Sequence, residues 1–337
     1  MSGLTMGLRC PGCGYRIAVA DRFCEECGRE LAVRRAVLPE VEGGSGDGCG
    51  ECGGLEFDGD GYCAGCGELR RPPDRGEADL GAVQLITDRG IAHARNEDAV
   101  AAAVLEDAAG PAIVIAVCDG VSTSENPQVA SNVAARTGVD ACLAALAADR
   151  TASEAVGTGL EAASQAVRAV GVADGHAPSC TYVSAVLRSN DTGESEITVV
   201  NVGDSRAYWL AADESATPSR RLTVDDSWAQ ALVDAGAMDE EAAMRDPRAH
   251  ALIRWLGADS DHRAADTRVT SVRVRGPGVL LMCSDGLWNY LSAADDLAAL
   301  ATAAEPSSAA RDLVEYALRG GGSDNITVAL APVMPQQ

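Results

Sequence analysis

The stretch AIVIAVCDG at residues 112–120 is an apolar run, rich in β-branched residues, that ends in an Asp-Gly pair. A second stretch, GVLLMCSDG at residues 278–286, is built in the same way. Short runs of this composition predict buried β-strands. A carboxylate at the end of a strand is held rigidly, and the glycine after it leaves the backbone open to a ligand. The two stretches therefore predict a sheet with Asp119 and Asp285 at strand ends.

The sequence around these runs mixes strand-forming stretches with alanine-rich helices in no strict alternation. Strands are predicted at residues 112–117, 196–210, 279–283 and 325–333. Helices are predicted at residues 127–148, 152–170 and 307–318, and Asn126 followed by proline marks the start of the first. This pattern predicts an α+β fold in which helices cover antiparallel sheets.

Composition excludes several classes of protein. The chain has 337 residues and a formal charge of −23, and its 27 basic residues are all arginine. P-loop enzymes and protein kinases need a lysine, and Schiff-base enzymes need an amine nucleophile. The acidic balance argues against nucleic acid, because phosphates repel an anionic surface. Without a run of ~20 apolar residues or a hydrophobic signal segment, we expect a cytoplasmic protein with no membrane contact.

Eight of the twelve cysteines form two sets of the pattern CxxC, ten residues, CxxC, offset by 39 residues. Two such turns facing each other make a tetrahedral zinc site. Disulfides and redox-active pairs are alternatives, but cytosolic chains rarely keep disulfides and redox pairs usually accompany a βαβ unit. The spacing favours two structural zinc ions. Their ligands would be Cys10, Cys13, Cys24 and Cys27 in the first set and Cys49, Cys52, Cys63 and Cys66 in the second.

The cysteine sets suggest the domain organisation. Small zinc ribbons are predicted at residues 8–33 and 48–71, with linkers rich in proline, glycine and acidic residues at 34–47 and 72–80. Residues 1–80 hold nine Arg against fifteen Asp and Glu. This balance disfavours nucleic acid and makes a protein the better candidate partner for the ribbons. The second domain is expected at residues 81–334.

Two more carboxylates join Asp119 and Asp285 as candidates for a metal site. Asp98 ends the motif RNED, and Asp324 follows a run of glycines. Oxygen ligands without histidine suit Mg²⁺ or Mn²⁺ better than zinc. A single Asp-Gly pair is most often a turn. Two of them, each ending an apolar strand, leave the choice between turns and a metal site open.

At these residues the sequence resembles the metal-dependent serine/threonine phosphatases of the protein phosphatase 2C (PPM) family, in their bacterial form. Five blocks follow the family's order over about residues 81–333: TDRG to RNED (87–98), VCDG (117–120), VNVGDSR (200–206), LMCSDG (281–286) and GSDNIT (322–327). The resemblance implies a four-layer α-β-β-α sandwich of two antiparallel sheets flanked by helices. Two Mn²⁺ or Mg²⁺ ions would lie at one end of it.

The resemblance also implies roles for residues. Asp119 would bridge both ions, and the Gly120 carbonyl would bind one of them. Asp285 and Asp324 would hold the other ion. Glu97 and Asp98 would orient water on the metals, and Asp98 is counted among the metal ligands. The implied reaction is hydrolysis of phosphoserine or phosphothreonine by water that two metals activate. The implied substrates are phosphoproteins made by a serine/threonine protein kinase.

Two positions depart from the family pattern. His93 stands where the family has an arginine that grips the substrate phosphate. Either His93 contacts the phosphate, which would make affinity change between about pH 6 and 7, or it is a rim residue and Arg95 reaches in. Asn289 stands where some members have an aspartate for a third ion, and an amide is a weak ligand. These departures support one alternative, a catalytically weak phosphatase-like module that acts through its zinc ribbons.

Other notable residues receive structural interpretations. Asp204 and Arg206 of the VGDSR motif are expected to form a turn with a buried ion pair. The four tryptophans are expected to pack in the core or at its rim. His176, His250 and His262 have no metal-ligand spacing and are expected to face solvent.

Overall fold

The protein is described here from a computed structural model. From residue 75 onward it describes residues 75–105, 111–170, 177–189, 194–212, 215–260, 263 and 266–333. Before residue 75 it describes residues 10, 13, 15, 23–28, 33–39, 49, 52–54, 56 and 62–67. The expected positions of His176 and His262 lie outside these residues.

Two antiparallel six-stranded sheets form the body of the molecule. The first sheet contains, in spatial order, β1 (Arg34–Leu38), β4 (Ala99–Leu105), β5 (Ala112–Cys118), β7 (Tyr182–Ser189), β8 (Ser195–Val202) and β12 (Val269–Val274). The second contains β10 (Arg220–Arg221), β9 (Arg206–Ala211), β13 (Gly278–Cys283), β14 (Ile326–Val333), β3 (Gln84–Asp88) and β2 (Gly76–Asp79). A separate antiparallel pair joins β6 (Ser179–Cys180) to β11 (Leu256–Gly257).

Helices cover the outer face of each sheet. Against the first sheet lie α1 (Pro127–Ala147) and α2 (Ala152–Ala169). Against the second lie α5 (Asp285–Trp288), α6 (Ala294–Ala301) and α7 (Pro306–Gly320). The segment between β10 and β11 carries two short helices, α3 (Trp228–Asp234) and α4 (Glu240–Ala243). The layers follow the order helix, sheet, sheet, helix, as the resemblance implies.

The alternation of side chains along the strands explains this layering. In β5, Ile113, Ile115 and Val117 point into the core between the sheets. Val114 and Ala116, which lie between them in the chain, belong to the core under α1 and α2. Every residue of β5 is buried, because a strand with both faces covered has no solvent side. A continuous apolar run is therefore the correct signal for this strand.

The predicted helices are confirmed to within two residues at each end. Asn126 precedes α1, but its backbone is left-handed, with φ 51°, and its side chain makes no capping hydrogen bond. The expected capping chemistry occurs at α2 instead, where Thr151 and Glu154 form a reciprocal capping box. None of the helices in the described part of the chain is both long and apolar enough to cross a lipid bilayer.

The strand-forming stretch 196–210 contains two strands that belong to different sheets. β8 pairs with β7 in the first sheet, and β9 pairs with β13 in the second. The connection between them, Gly203 to Ser205, is buried. Asp204 and Ser205 in this connection are polar but buried, so the chain changes sheets without an exposed turn.

The expectation of linkers at residues 34–47 and 72–80 is wrong for part of each segment. Arg34–Leu38 forms β1 and pairs along its whole length with β4. Gly76–Asp79 forms β2 and pairs with β3. Both are edge strands that need only one partner, and Leu38 is buried in the core between the sheets. Residues 40–47 and 72–74 lie outside the described part of the chain.

Candidate metal-dependent active site

Strand pairing brings the four predicted aspartates to one end of the sandwich. Asp98 comes just before β4, and Asp119 just after β5. Because Ala99 pairs with Cys118, these two aspartates are neighbours. Asp285 comes two residues after the end of β13, and Asp324 comes two residues before the start of β14. The pairing of Cys283 with Val328 places them at the same end.

An open cavity of about 580 Å³ lies at this end. Its floor includes Asp119, Gly120, Asp204, Asp285 and Asp324. Asp98 lies beneath the floor and is buried. The structure thus gathers the predicted carboxylates around one cavity and adds Asp204, which the sequence analysis had assigned to a structural turn.

Burial and mutual repulsion raise the pKa values of these carboxyl groups. Burial raises the pKa of Asp119 well above its usual range, and the carboxylates of Asp98 and Asp285 raise it further. The same causes raise the pKa of Asp98. Burial and the neighbouring Asp324 raise the pKa of Asp285 to about 6. Such a cluster holds negative charge near neutral pH only with difficulty unless a cation is bound.

The donor set fits hard divalent cations. Asp98 Oδ1 and Asp285 Oδ1 are buried oxygens with no hydrogen-bond partner among the described residues. Orphaned carboxylate oxygens of this kind are what Mg²⁺ or Mn²⁺ would bind. Gly120 is also required: a Cβ atom there would lie 2.6 Å from the Glu97 carbonyl oxygen and 2.8 Å from the Pro127 Cβ atom. The main chain at residue 120 is therefore not shielded by a side chain.

A chain of hydroxyl groups fixes the orientation of the Asp98 carboxylate. Ser284 Oγ donates to Asp98 Oδ2 at 2.7 Å and accepts from the Thr327 backbone N–H at 3.0 Å. The Thr327 hydroxyl lies 2.7 Å from that of Thr87, which accepts from Asn96 Nδ2 at 2.8 Å. These contacts join the first, fourth and fifth blocks of the sequence.

Asn325, which lies just before β14, is hydrogen-bonded to the segment that precedes β4. Its Oδ1 accepts from the Glu97 backbone N–H at 2.7 Å, and its Nδ2 donates to the carbonyl of Arg89 at 2.7 Å. The sequence analysis did not single out Ser284, Thr327 or Asn325 as site residues. Their only signal is that each lies within three residues of a predicted aspartate.

Glu97 and the two predicted phosphate-binding residues have partners within the site. Glu97 is buried and accepts from Ser122 Oγ at 2.6 Å and from Arg95 Nε at 3.0 Å. His93 Nε2 lies 3.2 Å from Asp324 Oδ1. His93 and Arg95 thus contact the acidic residues of the site, and a contact with substrate phosphate stays a prediction for both.

The expected ion pair between Asp204 and Arg206 is wrong. The partner of Arg206 is Asp225, whose carboxylate accepts from Arg206 Nε at 3.1 Å, and both groups are buried. The guanidinium also stacks on the Trp288 ring at 3.6 Å. Asp225 lies nineteen residues along the chain in no recognisable motif, so spacing alone could not reveal it. Asp204 is left facing the cavity.

A further group of possible metal ligands, which includes a histidine, lies beside the predicted site. Ligand atoms of Asp204, His250 and Asp285 all lie within 4.8 Å of one another. His250 is exposed, as expected, but it also stacks on Trp288 with ring centroids 5.6 Å apart. Asn289, the position considered for a third ion, donates to Asp285 Oδ2 at 3.1 Å instead.

The two cysteine sets each bring four thiols together. In each set the four sulfur atoms lie within 4.8 Å of one another. Individual Sγ to Sγ distances are 3.5 Å for Cys10 to Cys27 and 3.4 Å for Cys49 to Cys66. None of the twelve cysteines, all of which lie among the described residues, forms a disulfide. These clusters are compatible with zinc sites.

Comparison with known proteins agrees with this geometry. No family model matches the sequence. The serine/threonine phosphatase stp of Listeria innocua serovar 6a is 34% identical over 250 residues, which cover 72% of this chain and 92% of that protein. The serine/threonine protein phosphatase PstP of Mycobacterium tuberculosis is 32% identical over 249 residues. These cover 74% of this chain but only 44% of PstP.

A solved structure has the same fold. The crystal structure of the catalytic domain of PstP in complex with two manganese ions superposes with a TM-score of 0.55. The match is 27% identical and covers 75% of this chain and 97% of that domain. The fold, the clustered carboxylates and these relatives define a metal-dependent phosphatase class. The chain belongs to the PPM-type serine/threonine phosphatase family.

Proposed function

We propose that this protein is a Mn²⁺- or Mg²⁺-dependent phosphatase that hydrolyses phosphoserine and phosphothreonine in proteins. The observation that carries the proposal is the buried carboxylate cluster at the floor of an open cavity. Its oxygens include two without hydrogen-bond partners among the described residues, and its pKa values are raised by burial and repulsion. Homology to stp of Listeria innocua, over nearly the whole of that protein, gives the reaction class.

The proposal assigns each residue a task. Asp119, Asp285, Asp324, Asp98 and the Gly120 carbonyl would hold two divalent cations. When bound, the cations lower the pKa of water and neutralise charge on the phosphate. Ser284 keeps Asp98 in one orientation, and Asn325 fixes the backbone that carries Glu97. Ser122 and Arg95 in turn orient the Glu97 carboxylate, which can position water beside the substrate.

Hydrolysis of p-nitrophenyl phosphate and of a phosphothreonine peptide, with Mn²⁺ and with chelator, tests the proposal. We expect Mn²⁺-dependent turnover of both substrates. Asp119→Asn should abolish it, while Asp312→Asn, which changes an exposed aspartate on α7, should retain it. No turnover in the wild-type protein, or turnover that survives Asp119→Asn, would refute the enzyme assignment.

The second candidate is a catalytically weak module that binds phosphoproteins and acts through the cysteine clusters. His93 and Asn289 are the features that favour it, because both replace residues that the family uses for phosphate or metal. Calorimetric binding of the phosphopeptide without turnover would support this candidate. The intact carboxylate cluster favours the enzyme.

We also propose that the two cysteine clusters hold one Zn²⁺ each as structural sites. The support is the convergence of four thiols in each set and the repeat of CxxC pairs. Metal analysis of the purified protein should give about two zinc ions per chain. Cys52→Ser should reduce that number to about one, and Cys142→Ala, outside the clusters, should leave it unchanged. An unchanged zinc content in Cys52→Ser would contradict the assignment.

The proposed partners follow from the proposed reaction. Substrates would be products of a serine/threonine protein kinase, and the cysteine clusters could bind a further protein. A reducing compartment such as the cytoplasm is consistent with twelve cysteines that form no disulfide among the described residues. Loss of both zinc sites without any change in the proteins that co-purify with the chain would argue against a ribbon partner.

A further inference from the structure

The cavity of the active site extends beyond the carboxylates to a second wall. Trp255, Asp259 and Ser179 line it together with Asp119, Asp285 and Asp324. The sequence analysis assigned Trp255 to packing. The structure instead leaves it partly exposed at the cavity, just before the short strand β11.

The Asp259 carboxylate is held in place by this wall. Its Oδ1 accepts from Trp255 Nε1 at 3.2 Å and lies 3.5 Å from Ser179 Oγ. Ser179 is buried, and its neighbour in β6, Cys180, forms a bridge with Gly120 of the catalytic floor. The position of Asp259 relative to the catalytic carboxylates is therefore set by backbone pairing and not by a loose loop.

Asp259 carries an exposed carboxylate at the cavity. No arginine forms an ion pair with it in the part of the chain that the structure describes. The whole sequence has no lysine that could do so. Arg168, on α2, donates to the carbonyl of the adjacent Ser260 at 3.3 Å. An indole face next to an unpaired carboxylate matches the chemistry of a lysine or arginine side chain.

We propose that Trp255 and Asp259 form a subsite that selects phosphoprotein substrates with a basic residue near the phosphorylated one. The inference rests on the proposed phosphatase function and specifies its substrate class. The cationic head would pair with the Asp259 carboxylate, and its alkyl stem would lie on the Trp255 ring. Trp255 Nε1 orients the Asp259 carboxylate, because the Ser179 hydroxyl donates to the Ala177 carbonyl at 2.8 Å.

The size of the cavity limits where the basic residue lies. A compact space of 580 Å³ is roughly 10 Å across, and an extended peptide advances about 3.3 Å per residue. The subsite is thus reached within about three residues of the phosphorylated side chain. A charge farther along the peptide would lie outside the cavity, where solvent and salt screen it.

The test compares phosphothreonine peptides that differ at one position. Arginine is placed in turn at each of the three positions on either side of the phosphothreonine, in an otherwise neutral peptide, and alanine and leucine peptides serve as references. With Mn²⁺ and low salt, we expect kcat/KM to be about three- to tenfold higher for arginine than for alanine at one or two positions. The difference should lie in KM, because binding and not chemistry changes.

Variants assign the preference to the subsite. Asp259→Asn should bring the ratio of arginine to alanine kcat/KM close to one. Glu161→Gln, an exposed carboxylate change on α2, should retain the wild-type ratio. High salt should shrink the ratio in the wild-type protein.

Four outcomes would overturn the inference. These are equal kcat/KM for arginine and alanine at every position, a leucine peptide as good as the arginine peptide, an unchanged ratio in Asp259→Asn, and no hydrolysis of any peptide. Only the last would also refute the proposed function. The first three leave the phosphatase assignment intact.

Discussion

Asp285 shows, at the level of one residue, that the clustered carboxylates lower the stability of the metal-free protein. Burial and Asp324 raise its pKa to about 6, above the value of about 3.9 for an unfolded aspartate. A raised folded pKa means that its contribution to stability is present at low pH. The contribution is lost as the pH rises from about 4 through about 6.

Asp285→Asn should therefore stabilise the metal-free protein at about pH 7.5. The expected gain in the free energy of unfolding is on the order of 1–3 kcal/mol, and it should vanish near pH 4. Urea unfolding with chelator at both pH values measures it. Saturating Mn²⁺ should reverse the order, because only the wild-type site binds the ions fully. If Asp285→Asn were less stable than the wild-type protein at about pH 7.5, the ionised carboxylate would not destabilise the fold.

Ser284 links metal binding to the core, because its hydroxyl joins Asp98 to the Thr327 backbone. Ser284→Ala should raise the Mn²⁺ concentration needed for half-maximal activity by roughly 10–100-fold. It should also lower stability by about 1–3 kcal/mol, since the Thr327 N–H is left unpaired. A Mn²⁺ titration of activity measures the first effect. Ser164→Ala, a buried serine on α2, is the matched control and should leave the titration unchanged.

His93 Nε2 lies 3.2 Å from Asp324 Oδ1, at the edge of the carboxylate cluster. If the imidazole contacts phosphate, its charge strengthens binding at low pH, so KM should rise between about pH 6 and 7. His93→Gln should have a KM that does not change over that interval. Steady-state kinetics with p-nitrophenyl phosphate at saturating Mn²⁺ compares the two proteins. Identical KM profiles would assign His93 to the rim.

At the scale of elements, α1 packs closely on the first sheet because its Gly138 faces the buried Tyr182 of β7. A Cβ atom at Gly138 would lie 2.9 Å from Tyr182 Cε2 and closer still to the hydroxyl oxygen. Gly138→Ala should therefore destabilise the protein by about 1–3 kcal/mol through overpacking. Gly157→Ala, on α2, meets nothing within 4 Å and should stabilise by about 0.5–1 kcal/mol. Thermal unfolding of the two variants should shift in opposite directions.

The buried strands β5 and β13 were predictable from the sequence, whereas the buried strands β3, β4 and β7 and the edge strands were not. β5 and β13 are continuous apolar runs because cores lie on both of their sides. β1, with the sequence RRAVL, has partly exposed residues and a partner that begins about sixty residues later in the chain. Its pairing depends on tertiary structure, so a local pattern could not separate it from a linker.

At the scale of the whole molecule, some residues of the site could be predicted from the sequence and others could not. Asp119 and Asp285 follow predictable strands, so their convergence could be expected. Asp225, His250 and Trp255 come from the segment between β9 and β12, which carries no motif. The fold brings this segment over the cavity, and only the fold shows that it contributes to the site.

The domain boundary predicted at residue 81 can be tested directly. A chain that begins there lacks β1 and β2 and exposes the edges of β4 and β3, whose residues are all buried in the full protein. It should be less stable by at least about 2 kcal/mol, partly through loss of the buried Leu38, and should aggregate. A chain that begins at residue 33 keeps β1 and should remain monodisperse in size-exclusion chromatography. Equal behaviour of the two chains would mean that the edge strands are dispensable.

The order of elements at the start of the chain has a consequence for how such a protein can change in evolution. The first cysteine set is followed by an edge strand of one sheet, and the second by an edge strand of the other. The cysteine-rich region therefore includes strands of both sheets and is not a detachable module. A recombination event that moved this region to another gene would carry away a strand from each sheet. The two parts are expected to be inherited together.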